Sequence, residues 1–179
     1  MLDVSDTAVM AHSSNVSFRE KSAWVSLGVI LVVYVPYFIY VCGLVRRGEL
    51  TIGAAIGIFI AAVIFQVVLA IVAHIAVSIR TRVDRKDERD SAIESKAFRN
   101  AYFVLISAIC LAAIFVTLVG LGQGAAELAT AQGGGATHFV RGIGAVLSPA
   151  AATQILLLCL VVAEASKYGT QVFCYRRGR

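Results

Sequence analysis

The chain has 179 residues, 59% of them hydrophobic and 15% charged, with a formal net charge of +5 and a mean hydropathy of +0.82. Globular domains are roughly half apolar and about a quarter charged, so this composition excludes a typical soluble enzyme, a disordered chain and a small disulfide scaffold. The apolar excess is gathered into long blocks, which describes a single membrane unit.

The first residues, up to about Phe18, are rich in Ser, Asn and Asp and are expected to lack fixed structure. No cleavable leader is expected, because the first apolar run has full spanning length and lacks a small-residue cleavage site. It is read as an uncleaved anchor. Four blocks can cross a hydrocarbon core, which takes roughly 20 residues at about 1.5 Å each. They cover about 23–45, with Pro36 inside; 52–79; 102–121; and 144–165, with Pro149 and Gln154 near its start. Barrel strands would be about 10 residues long with dyad alternation, which is absent. The expected fold is therefore all-α: a single-domain integral-membrane four-helix bundle.

Thirteen of the sixteen basic residues fall in the first tail, in the connection 80–101 and after the fourth span. Only Arg46, Arg47 and Arg141 lie on the other side. The positive-inside rule then places both termini and the charged connection in the cytoplasm. The net charge is a topology signal and gives no reason to expect nucleic-acid binding. Attraction to anionic lipid is expected. The first outer connection, Arg46 to Thr51, is short and makes its two spans antiparallel neighbours. The second, about 122–143, is Gly-rich, and its stretch Ala125 to Ala131 is expected to form at most a short helix on the outer leaflet.

Between the second and third spans the connection contains neither Gly nor Pro. Ser91-Ala92-Ile93-Glu94 fits a capping box, so a turn within about Val83 to Asp90 and a helix from Ser91 into the third span are expected. Asp84 to Asp87 offers a weaker start. Asp87, Glu88, Asp90 and Glu94 form the acidic cluster. Asp87, Asp90 and Glu94 share a face of a continuous helix, a stripe suited either to a hard cation or to local ion pairs with Arg85, Lys86, Arg89 and Lys96. The second reading is preferred. Lys96 and Arg99 are placed at the interface, where long stems snorkel, next to the aromatic pair Tyr102 and Phe103.

Within the spans, Gln66 and His74 lie two turns apart on one face, which suggests interhelical hydrogen bonding or, alternatively, a polar path. Glu164 is expected to pair with Lys167 or Arg99. Gly53 and Gly57 form a GxxxG surface suited to packing within the bundle or to a homodimer seam. There is no CxxC, HExxH, GxSxG or phosphate-binding loop, so no catalytic, metal or cofactor site is expected. The four cysteines are read as small packing residues.

Two stretches carry a resemblance. Glu20-Lys21-Ser22-Ala23-Trp24 matches an E-K-x-A-W pattern. Asp87 to Tyr102 matches D-E-R-D-x-x-I-E-x-K-A-x-R-x-A-Y. Both resemble motifs of small bacterial four-helix membrane proteins whose function is uncharacterised. The resemblance implies a multi-pass protein of the bacterial cytoplasmic membrane and supplies no activity. The resulting expectation is a non-enzymatic membrane protein that docks a cytoplasmic partner, or senses the membrane state, through Asp87, Glu88, Arg89, Asp90, Glu94, Lys96 and Arg99. A small oligomeric channel or transporter using Gln66, His74 and the GxxxG face is the alternative. The partners expected are the lipid bilayer, a second copy of the chain and a cytoplasmic protein.

Overall fold

The computed structural model describes residues 18–80, 87–131 and 148–177. These form α1 (Phe18–Arg47), α2 (Ile52–Arg80), α3 (Glu88–Ala131) and α4 (Pro149–Arg177). Among the described residues there is no strand. Each helix contains a stretch long and apolar enough to cross a membrane.

Local chemistry sets the helix ends. α1 stops in a Schellman motif: the Gly48 amide donates to the Val45 carbonyl and the Glu49 amide to that of Leu44, both at 3.0 Å. Gly48 takes a φ of 70° there, a left-handed conformation that costs glycine nothing. Thr51 then caps α2, its Oγ1 accepting from the Ala54 amide at 3.2 Å. α4 opens on Ser148, whose Oγ accepts from the Ala151 amide at 3.2 Å. Pro149 follows in the first helical position, where its missing N–H removes no bond.

The start of α3 differs from expectation. Asp87, not Ser91, is the capping residue: its Oδ1 accepts from the Glu88 amide at 2.7 Å, and Asp90 Oδ2 reaches back to the Asp87 amide at 3.4 Å. This is an acidic box one turn earlier, and a carboxylate competes well against a hydroxyl at the positive end of a helix. The turn expected within Val83 to Asp90 falls largely outside the described residues. The far end also differs. Gly122 to Ala131, expected as a loop or a separate short helix, continues α3. No proline interrupts the stretch, and Gln123 bonds Glu127 one turn on, at 3.3 Å. The Gly run 133–135 and the expected start of the fourth span at 144 lie outside the described residues. Beyond 165 the chain remains helical through Arg177.

In space the order is α2, α1, α4, α3. α1 packs on α2 and α4, α3 packs on α4, and α2 touches α4 only lightly. The core is the face of α1 formed by Val29, Ile30, Val33, Tyr34, Tyr37 and Val41, with Ala62, Leu69 and Ala73 of α2 and Leu157 and Val161 of α4 against it. α2 and α3 leave large apolar side chains such as Ile64, Val72, Leu111 and Leu118 uncovered. So much contiguous apolar surface is foreign to water-soluble monomers and suits hydrocarbon.

Candidate functional site

At the end of the molecule where α1 begins and α4 finishes, the second motif stretch reaches the residue just before the first. Asp90 on α3 is the point of contact. Arg19 Nε of α1 stands 2.9 Å from Asp90 Oδ2, and the Tyr175 hydroxyl of α4 donates to Asp90 Oδ1 at 3.1 Å. One carboxylate thus fastens three helices. Its side chain is only 17% exposed, so water competes poorly for it. Tyr175 lies ten residues past position 165, where the fourth apolar block ends. Burial, then the charge of Asp90 beside it, pushes its hydroxyl up to about 12 from an ordinary 10.0. At neutral pH it is therefore a firm donor. Glu20 and Ala23 of the first motif are buried at the same end, and Arg176 of α4 lies over the Trp24 ring at 4.9 Å.

The inward face of the second motif continues along α3. Ile93 is buried, Ala97 is fully enclosed, and Asn100 Nδ2 donates to Ser166 Oγ at 3.2 Å and Thr170 Oγ1 at 2.7 Å. The spacing of 90, 93, 97 and 100 is an a/d seam. α4 meets it with the small residues Ser166 and Thr170, which let the backbones approach closely. The remaining motif residues divide. Glu94 is half-buried, whereas Asp87, Glu88, Arg89, Lys96 and Arg99 are exposed. The stripe of Asp87, Asp90 and Glu94 does not act as a set: Asp87 caps the helix and Asp90 binds Arg19 and Tyr175. Among the described residues, no three His, Cys, Asp or Glu side chains are grouped to hold a metal ion.

The three intramembrane polar candidates come together. Gln66, His74 and Glu164 all line one cavity of about 400 Å³ among α1, α2 and α4. Each also has a protein partner. Tyr34 of α1 donates to Gln66 Oε1 at 2.6 Å. His74 Nδ1 donates to the Ala70 carbonyl at 2.8 Å, which leaves Nε2 as the acceptor for the Ser26 hydroxyl at 3.4 Å. Glu164 pairs with Lys167 at 2.7 Å, not with Arg99, because Lys167 is one turn along the same helix. Its ammonium also lies over the rings of Phe98, at 4.9 Å, and Tyr168, at 4.6 Å. A second tyrosine of α1, Tyr37, donates to the buried Gln154 of α4. Tyr34 and Tyr37, one turn apart with rings edge to face at 6.0 Å, thus bond α1 to a glutamine on each neighbour. The GxxxG glycines Gly53 and Gly57 face open space.

Sequence reasoning missed Arg19, Tyr175, Tyr34, Tyr37 and Asn100. A usable signal did exist: tyrosines three residues apart within one span need buried acceptors, and two other spans each carry a glutamine, Gln66 and Gln154. Compared with protein-family models, with curated proteins and with solved structures, the chain has no match.

Proposed function

We propose that this is a non-enzymatic, multi-pass protein of the bacterial cytoplasmic membrane, a four-helix bundle with both termini inside, that works as a docking or sensing component through its charged helix. The observation that carries this reading is the double engagement of Asp90 by Arg19 and Tyr175. It supports a function at this end because it ties the start of α3 to α4, on which it packs, and through Arg19 to α1, while leaving Arg89, Lys96 and Arg99 outward. Fixed charges on a clamped helix recognise a surface at a lower entropic cost than charges on a mobile loop. The bias of basic residues toward this side supports the cytoplasmic placement.

The test is affinity purification of the full chain from native membranes, with co-purified proteins and lipids both analysed. Neutralising Arg89, Lys96 and Arg99 together to Gln is expected to remove specific components. An unchanged set of components would overturn the reading. A second reading, a small oligomeric channel or transporter, is favoured by one observation: Gln66, His74 and Glu164 share a cavity. Against it stands the pairing of each of them within the protein. Flux through proteoliposomes above that of empty vesicles, lost in Gln66→Leu, would select it.

A further inference from the structure

We propose that the groove between α3 and α4 at the charged end is a binding site for the anionic headgroup of a phospholipid. The groove encloses about 550 Å³, and Lys96, Arg99, Ser166 and Thr170 line its polar part. A second, adjoining groove of about 350 Å³ shares Lys96, Phe173 and Cys174 with it and adds Arg89 and Arg177. Four cations therefore follow one continuous face, and no carboxylate lines either stretch among the described residues. None of the four is in an ion pair with another described residue. Two acids of this end are engaged elsewhere: Asp90 with Arg19 and Tyr175, Glu164 with Lys167.

The groove also has donors and room. Asn100 donates to the oxygens of Ser166 and Thr170, so the hydrogens of both hydroxyls remain available to a phosphate oxygen. Gly169 forms part of the wall, and a Cβ there would meet nothing within 4 Å. Arg and Lys side by side suit a phosphodiester, the guanidinium by its fork and the ammonium as a point charge.

The polarity of the groove decides between a lipid and a free anion. Phe103 and Phe173 line the same space, and Phe103 leads directly onto the uncovered apolar surface of α3. A soluble phosphate has no use for those rings, whereas an acyl chain leaving the headgroup would run along them. The inference rests on the reading above, that this end stands at the cytoplasmic membrane surface, where the anionic lipids concentrate.

The experiment exposes purified full-length protein to equal amounts of phosphatidylglycerol and phosphatidylcholine and reads the lipids retained by native mass spectrometry. Retention of phosphatidylglycerol over phosphatidylcholine is expected. Lys96→Gln with Arg99→Gln should reduce that preference by about thirtyfold, at about fivefold per basic residue near the surface. Gly169→Leu keeps every charge and fills the groove, and should abolish the preference while unfolding as cooperatively as the parent. Arg46→Gln with Arg47→Gln, at the other end, should leave it unchanged. A preference that survives Gly169→Leu would mean diffuse attraction and would overturn the site. So would inorganic phosphate that displaces the bound lipid, which would identify the occupant as a free anion. A parent protein that shows no preference for phosphatidylglycerol, with co-purified proteins still dependent on Arg89, Lys96 and Arg99, would remove this site and leave the docking reading standing.

Discussion

Replacing Asp90 by Ala should loosen three helices at once. The hydrogen bond from Tyr175 goes to a charged acceptor, a class worth about 1.5–3 kcal/mol. The Arg19 pair has side chains 32% and 17% exposed, so solvent screening reduces it to about 1 kcal/mol. The reach of Asp90 back to the Asp87 amide is exposed and long at 3.4 Å, and adds little. The expected loss is about 3 kcal/mol, a large share of the stability of a small domain. Asp90→Asn keeps an acceptor for Tyr175 and should lose about half of that. Trp24 is the single tryptophan and lies under Arg176 at the same end, so its fluorescence during SDS titration in mild detergent reports the parting of α1 and α4. A double-mutant cycle with Tyr175→Phe should give a coupling of about 1 kcal/mol or more. Asp90→Ala within about 0.5 kcal/mol of the parent, the range of an ordinary surface change, would refute the clamp.

Tyr175 also predicts an alkaline limit. Its folded pKa lies above its unfolded value, so its contribution is full below pH 10 and is lost as pH rises from 10 toward about 12; Tyr175→Phe should flatten that part of a stability–pH curve. Ala97 is fully enclosed between α3 and α4, so Ala97→Leu should cost about 1–3 kcal/mol by overpacking. Gly57→Leu meets open space and should leave monomer stability unchanged, while lowering any dimer yield measured by crosslinking. In a cysteine-free background, a membrane-impermeant maleimide added to intact cells should label Glu49→Cys and spare Glu88→Cys; the reverse pattern would invert the topology.

The spans and the short α1–α2 turn were legible because length and hydropathy are local. The direction in which each polar residue points was not. In a water-soluble helix the buried face is the apolar one, but lipid is as apolar as a protein core, so hydropathy does not mark the packed face of a spanning helix. The face of α3 that bears Ala97 therefore carried no signature, and the packed face of α1 was marked only by its tyrosines. The charged motif hid its structure for a different reason. Its acids and bases alternate so densely that local ion pairs explained them all, and the partners of Asp90 lie 71 positions earlier, at Arg19, and 85 later, at Tyr175. The capping residue was misplaced because Ser91 offered a good hydroxyl box within one turn of a better carboxylate.

On the proposed function, the Asp90 clamp creates a docking surface from the outward charges of α3. A photoreactive side chain in place of Lys96, in the full-length protein in native membranes, tests it most directly. Discrete adducts, protein or lipid, are expected, and they should be lost when Asp90→Ala is combined with the probe at equal protein abundance. Adducts that persist unchanged without the clamp, or none in either form, would contradict it.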